Sequence, residues 1–247
     1  VGVTAYLSGF LANKYGVTPY PFYLGFLIAL IGLILTVFFV KETEPFVKIE
    51  SKTDDSKSIE NIFIETTFKN KTLSSVTQAG LINNLNDGMI WGLLPILLFS
   101  MNLDNEQIGI IAAAYPTFWG IGQLFTGKMS DFYSKKKMLF WGMFIQGISI
   151  LILPFTNSFI LLLSLSVLLG IGTAIVYPTF LTTIAEESSP IQRAETIGSF
   201  RLWRDLGYAI GALLSGITAD FFGISFSILL IGFITILSSI VIKLRMP

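Results

Sequence analysis

The chain has 247 residues, of which 53% are hydrophobic and only 13% charged, and its mean hydropathy is +0.72. A soluble globular domain carries roughly twice that share of charge, so water is not the solvent for most of this surface. The 16 basic side chains balance 16 acidic ones, which removes any bulk electrostatic case for nucleic acid, and the lack of Cys and His excludes disulfides, thiol chemistry and most zinc or haem sites. Without imidazole, a proton relay has to use carboxylates.

A membrane-spanning helix needs roughly 20 mostly apolar residues. On that rule the sequence predicts a partial span at 1–13, then seven fuller ones at 20–40, 74–100, 107–127, 138–155, 158–184, 195–219 and 224–243. The chain opens on Val1 with no basic stretch before the apolar run, so no signal peptide is expected and the reading is of a piece cut from something longer. The linker 41–73 is polar and without periodicity up to Ser58, then places Ile59, Ile62, Phe63 and Phe68 among polar residues. This pattern predicts a short amphipathic helix on the membrane face. Of the 16 Lys and Arg residues, all but Lys14 fall at or near one side of the predicted spans. Short basic loops stay cytoplasmic, which predicts an inner-membrane protein with the linker and the C-terminus inside the cell.

Several spans carry polar groups. Asp87 lies halfway along 74–100, and Asn83, Asn84, Asp87 and Trp91 share one helical face that must look inward. Asp87 either takes up a proton or a cationic solute, or it anchors a structural hydrogen-bond knot beside Gly88. The tetrapeptide Tyr-Pro-Thr-Phe occurs at Tyr115 to Phe118 and again at Tyr177 to Phe180. Each proline removes a backbone donor, so bends are expected there, with a nearby Thr hydroxyl satisfying a freed carbonyl. The span 195–219 holds Arg201, Arg204 and Asp205, with Arg201 and Asp205 at i,i+4, close enough to its basic end for the guanidinium groups to snorkel. Arg193 and Glu195 either join these charges or are solvated loop residues. Ala212, Leu214, Ser215, Gly216, Ala219 and Gly223 match Ala5, Leu7, Ser8, Gly9, Ala12 and Gly16 at an offset of 207 residues, through duplication or through convergent small-residue packing. No Walker loop, Rossmann glycine pattern or metal-ligand cluster appears, so no cofactor or metal is expected.

The run Gly127-Lys128-Met129-Ser130-Asp131-Phe132-Tyr133-Ser134-Lys135-Lys136 resembles the cytoplasmic Gly-x-x-x-Asp-x-x-Gly-Arg-Lys loop of the major facilitator superfamily, with Ser134 where Gly is usual and Lys135 where Arg is usual. Ser8 to Gly16 is similar to the end of the family's fifth helix, and Tyr20 to Val40 to its sixth. The resemblance implies an all-α polytopic membrane protein with about eight of twelve helices present. Residues 1–40 would end one six-helix bundle, 41–73 would be the cytoplasmic linker, and 74–247 would form the second bundle. It implies a secondary transporter working by alternating access on a small-molecule solute, coupled to an ion such as the proton, monomeric in the lipid bilayer and without enzymatic activity. The alternative is a non-transporting sensor or accessory subunit that retains the fold. The family's seventh and tenth helices line its cavity, which implies solute or proton binding at Asp87, Asn83, Asn84, Trp91 and Tyr177, with Trp119 and Gln123 on the eighth as weaker candidates; for Tyr177, Trp119 and Gln123 the alternative is plain packing. Gly127, Asp131, Lys135 and Lys136 would form a conformational latch, and Arg201, Arg204 and Asp205 a gate. Thr4 to Gly9 keeps only the final Gly of the Gly-Pro-x-x-Gly-Gly common in drug antiporters, which argues against that activity.

Overall fold

A backbone surrounded by lipid must satisfy its N–H and C=O groups within its own segment or a closed barrel. In the computed structural model, which describes residues 11, 14–16, 18–40 and 60–247, that requirement is met by helices, with no strand among the described residues. The chain divides into two units, Val1–Lys52 and Thr53–Pro247. The long described helix of the first is α1 (Tyr20–Phe39), apolar on all sides. The described part of the second opens with a single turn, α2 (Ile62–Ile64), that widens into a π turn at Glu65–Lys69. Six long helices follow: α3 (Lys71–Ser100), α4 (Asn105–Phe132), α5 (Lys135–Ile152), α6 (Phe159–Glu187), α7 (Arg193–Phe222) and α8 (Ile224–Arg245).

Each of the seven fuller spans coincides with one long helix, and most helices run a few residues further into polar sequence. Apart from residue 11 and Gly16, the partial span at 1–13 and the first copy of the repeat lie outside the described residues, as does most of the linker. The described end of the linker is a short helical stretch: Asn61 starts α2 at φ 47°, and Asn70 closes the π turn nine residues later. Five helices, α1, α4, α5, α6 and α8, are long and apolar enough to cross a membrane by length and composition. The 30-residue α3 and α7 are more polar. In α3 the reason is internal: Asn83, Asn84, Asn86 and Asp87 are each at most 2% exposed.

Local chemistry sets the helix ends. Asn70 Oδ1 accepts the Leu73 N–H at 2.9 Å to start α3, and Asp104 and Gln107 form a reciprocal capping box at the start of α4. Gly223, at φ 89°, makes the corner between α7 and α8, a backbone conformation that a side chain disfavours.

Helix pairs approach closely where small residues allow it. A Cβ on Gly88 of α3 would stand 2.5 Å from the Tyr208 carbonyl oxygen and 2.9 Å from the Ala212 nitrogen of α7, so the two backbones touch. Between α4 and α6 the contact is polar as well. Pro178 removes the N–H that would have bonded the Ala174 carbonyl, and the Thr126 hydroxyl of α4 donates to that oxygen at 2.5 Å. In return the Ser166 hydroxyl of α6 donates to the Ile111 carbonyl at 2.7 Å.

At the basic end, Lys135 pairs with Glu186 at 2.7 Å and Lys136 donates to the Met246 carbonyl at 2.5 Å. Arg245 donates to the Ser74 hydroxyl at 3.0 Å and to the Phe68 carbonyl. Phe63 stacks on Trp203 at 6.5 Å, and the Trp203 indole donates to the Thr67 hydroxyl at 3.0 Å. The last residues before α3 are thereby strapped to α7 and α8.

Candidate functional site

Asp87 occupies the middle of α3 and is 1% exposed. A charged carboxyl at that depth is tolerable only with partners. It has them on two other helices: the Tyr115 hydroxyl of α4 donates to Oδ1, and the Tyr208 hydroxyl of α7 donates to Oδ2 at 3.0 Å. Thr173 of α6 donates in turn to the Tyr115 oxygen at 3.5 Å. Three helices therefore meet at one carboxyl group, and α6 joins them through the Tyr115 hydroxyl. Tyr115 is buried, whereas Tyr208 is 40% exposed, so of the residues in the knot the Tyr208 phenol is the one that reaches the surface of the bundle.

One residue away, α3 turns a second polar set toward α5 and α8. Asn86 Nδ2 donates to Gln146 Oε1 at 3.1 Å and Asn86 Oδ1 accepts the Thr235 hydroxyl at 2.6 Å. Gln146 Nε2 donates to Asn83 Oδ1 at 3.1 Å, and Asn83 donates to Asn84 at 3.3 Å. Asn83 and Asn84 thus belong to a buried amide joint that fastens α5 and α8 to α3, separate from the Asp87 knot. Asn86, Gln146 and Thr235 were not among the sequence candidates. The signal was present in Gln146, a lone amide inside an apolar span, which has to find a partner.

From the Asp87 knot an arc of rings runs across the bundle. Trp91 lies 6.2 Å from Tyr115, Tyr115 stacks on Trp119 at 6.1 Å, and Trp119 meets Tyr177 edge-on at 5.4 Å. Tyr177 carries the Arg204 guanidinium over its face at 5.7 Å and accepts its hydrogen bond at 3.3 Å. Phe200 lies under the same guanidinium at 5.8 Å. Instead of snorkelling, Arg204 is folded against these rings, its side chain 13% exposed and paired with the 56%-exposed Asp205 at 2.7 Å. Trp91 is 50% exposed, Trp119 and Tyr177 are half-buried, and the Trp119 indole N–H is buried with no hydrogen-bond partner among the described residues. Arg201 is exposed and Gln123 half-buried.

The loop residues sit elsewhere, at the basic end. Gly127 is half-buried and its carbonyl accepts the Ser130 hydroxyl at 2.7 Å. Lys135 and Lys136 make the contacts to α6 and the end of α8 already given, and the Asp131 side chain lies outside what is described. Among the described residues no group of three or more acidic side chains is placed to hold a metal ion.

A helical membrane bundle with a buried carboxyl shared by three helices defines a polytopic membrane protein with a polar interior. Residues 76–247 match the family model of the Major Facilitator Superfamily, and the chain belongs to that family. It is 29% identical over 162 residues to an uncharacterized MFS-type transporter of Methanocaldococcus jannaschii, covering 66% of this chain and 42% of that protein. It is 27% identical over 150 residues to an uncharacterized transporter of Buchnera aphidicola, covering 61% of this chain and 37% of the relative. The inner membrane transport protein YnfM of Escherichia coli is 25% identical over 155 residues, covering 63% and 37% respectively. The chain thus spans about two-fifths of the length of the curated relatives it matches.

Proposed function

We propose that the protein moves a small solute across the cell membrane by alternating access, driven by an ion gradient, with Asp87 as the group that takes up and releases a proton. The observation that carries this reading is the bracketing of a 1%-exposed carboxyl by hydroxyls from α4 and α7. Protonation of Asp87 gives one carboxyl oxygen a hydrogen to donate and leaves the other an acceptor, so the two bonds that draw α4 and α7 onto α3 are no longer equivalent and one of them has to reverse or break. A proton can in this way be read as a change in helix packing. Lys135 with Glu186, and Lys136 with the end of α8, form the latch that holds one arrangement, and the linker and C-terminus lie on the cytoplasmic side.

The test is transport by the purified full-length protein in liposomes under an imposed pH gradient. Asp87→Asn is expected to abolish solute accumulation driven by that gradient. Accumulation with an unchanged pH profile in this variant would remove Asp87 from the coupling role.

A further inference from the structure

The arc from Trp91 to Arg204 has a chemistry of its own, beyond that of the buried carboxyl. It joins one guanidinium to a row of aromatic rings. The counter-ion of that guanidinium is its neighbour in sequence, a carboxylate more than half exposed. Three of the five N–H groups of Arg204 are engaged in the bonds to Asp205 and Tyr177. Tyr208 stands at i+4 from Arg204 on α7, about one helical turn away and on the same face. Trp91 adds a second half-exposed ring from α3, and Trp119 brings an unpartnered indole N–H from α4. Rings prefer to stack on rings, and a guanidinium fork matches a carboxylate in plane and spacing.

Resting on the transport reading, we propose that the solute is a planar aromatic carboxylate, whose carboxylate displaces Asp205 from Arg204 while its ring lies among Tyr208, Trp119 and Trp91. Asp205 then acts as an internal stand-in: it holds Arg204 in place when no solute is bound and competes with the solute for it. The exposure of the pair fits this arrangement, since the carboxylate side is open and the guanidinium side is packed on Tyr177 and Phe200. The competing chemistry, an organic cation held by Asp205, is a separate outcome of the test.

The experiment is calorimetric titration of the purified full-length protein in detergent with benzoate, cyclohexanecarboxylate and benzylammonium. Benzoate is expected to bind, cyclohexanecarboxylate to bind more weakly, and benzylammonium not to bind. Arg204→Gln should weaken benzoate by about tenfold or more, because a charge-assisted pair is lost. Asp205→Asn should instead tighten it by roughly two- to fivefold, the range of an exposed ion pair. A variant that merely folds badly cannot produce that gain. Benzylammonium binding as well as benzoate, or a benzoate affinity that neither substitution moves, overturns the proposal. If another solute is transported in an Asp87-dependent way while benzoate does not bind, the aromatic-acid assignment alone falls. If benzoate binds and nothing is carried, the transport reading falls.

Discussion

The hydroxyl groups of Tyr115 and Tyr208 serve the same carboxyl group under different conditions. Tyr115 is 2% exposed, so replacing it with Phe leaves one oxygen of Asp87 without a donor and without water to replace it. Tyr115→Phe is therefore expected to lower the stability of the detergent-solubilised protein by about 1–3 kcal/mol. Tyr208→Phe should lower it by less, because Tyr208 is 40% exposed and its bond is the less buried of the two. Thermal or denaturant unfolding of the two variants measures the order, and equal or reversed losses would count against the knot. Asp87 itself was legible in the sequence, since a lone carboxylate amid apolar residues needs an explanation. Its partners were not, because they lie 28 and 121 residues away and no local pattern names them. Asn83 and Asn84 were found by the same rule, yet packing assigns them to a different joint.

Helices in lipid gain little from apolar contact, so their association depends on close approach and on the few polar groups they share. The α4–α6 pair tests this directly. Thr126→Val should leave the Ala174 carbonyl without a donor and cost about 1–3 kcal/mol. Pro178→Ala restores an N–H inside α6 for the same oxygen, so in that background Thr126→Val should cost far less. A double-mutant cycle in unfolding free energy reads the coupling, and additive losses would show that the two residues do not share the carbonyl. Glycines offer a second contrast. Gly88→Ala must push α3 from α7 and is expected to destabilise, whereas Gly120→Ala, with nothing within 4 Å, should be neutral or gain up to about 1 kcal/mol from helix propensity. Span positions were readable because hydropathy along one helix is a local property. Which carbonyl a proline frees is also local, but the hydroxyl that finds it comes from another helix. The Thr117 and Thr179 hydroxyls do not satisfy the freed carbonyls as expected: each bonds the carbonyl four residues back at 2.7 Å, one residue beyond the one that the proline frees.

For the molecule in its membrane, orientation is the first quantity to measure. The 247-residue chain contains no cysteine, so single replacements report cleanly. Lys137→Cys should be labelled by an impermeant thiol reagent only after cells are opened, and Asn102→Cys in intact cells; both sites are exposed. The reverse pattern would invert the topology read from the basic loops. Charge asymmetry made the two sides distinguishable in the sequence, whereas the strap of Phe63 on Trp203 was hidden, because it joins residues that no periodicity relates. Asn86 and Asp87 carry a further consequence for motion. As neighbours on α3 they point about 100° apart, one keyed into α5 and α8 and the other into α4 and α7. Rolling α3 to loosen one grip would tear the other. Spin labels on α3 and α5 should therefore keep a fixed separation through a transport cycle while the α3-to-α4 distance changes, and a changing α3–α5 distance would refute this. In mechanical terms, and on the proposed function, α3 is the stator of the bundle, and a proton arriving at Asp87 would shift the helices around it rather than α3 itself.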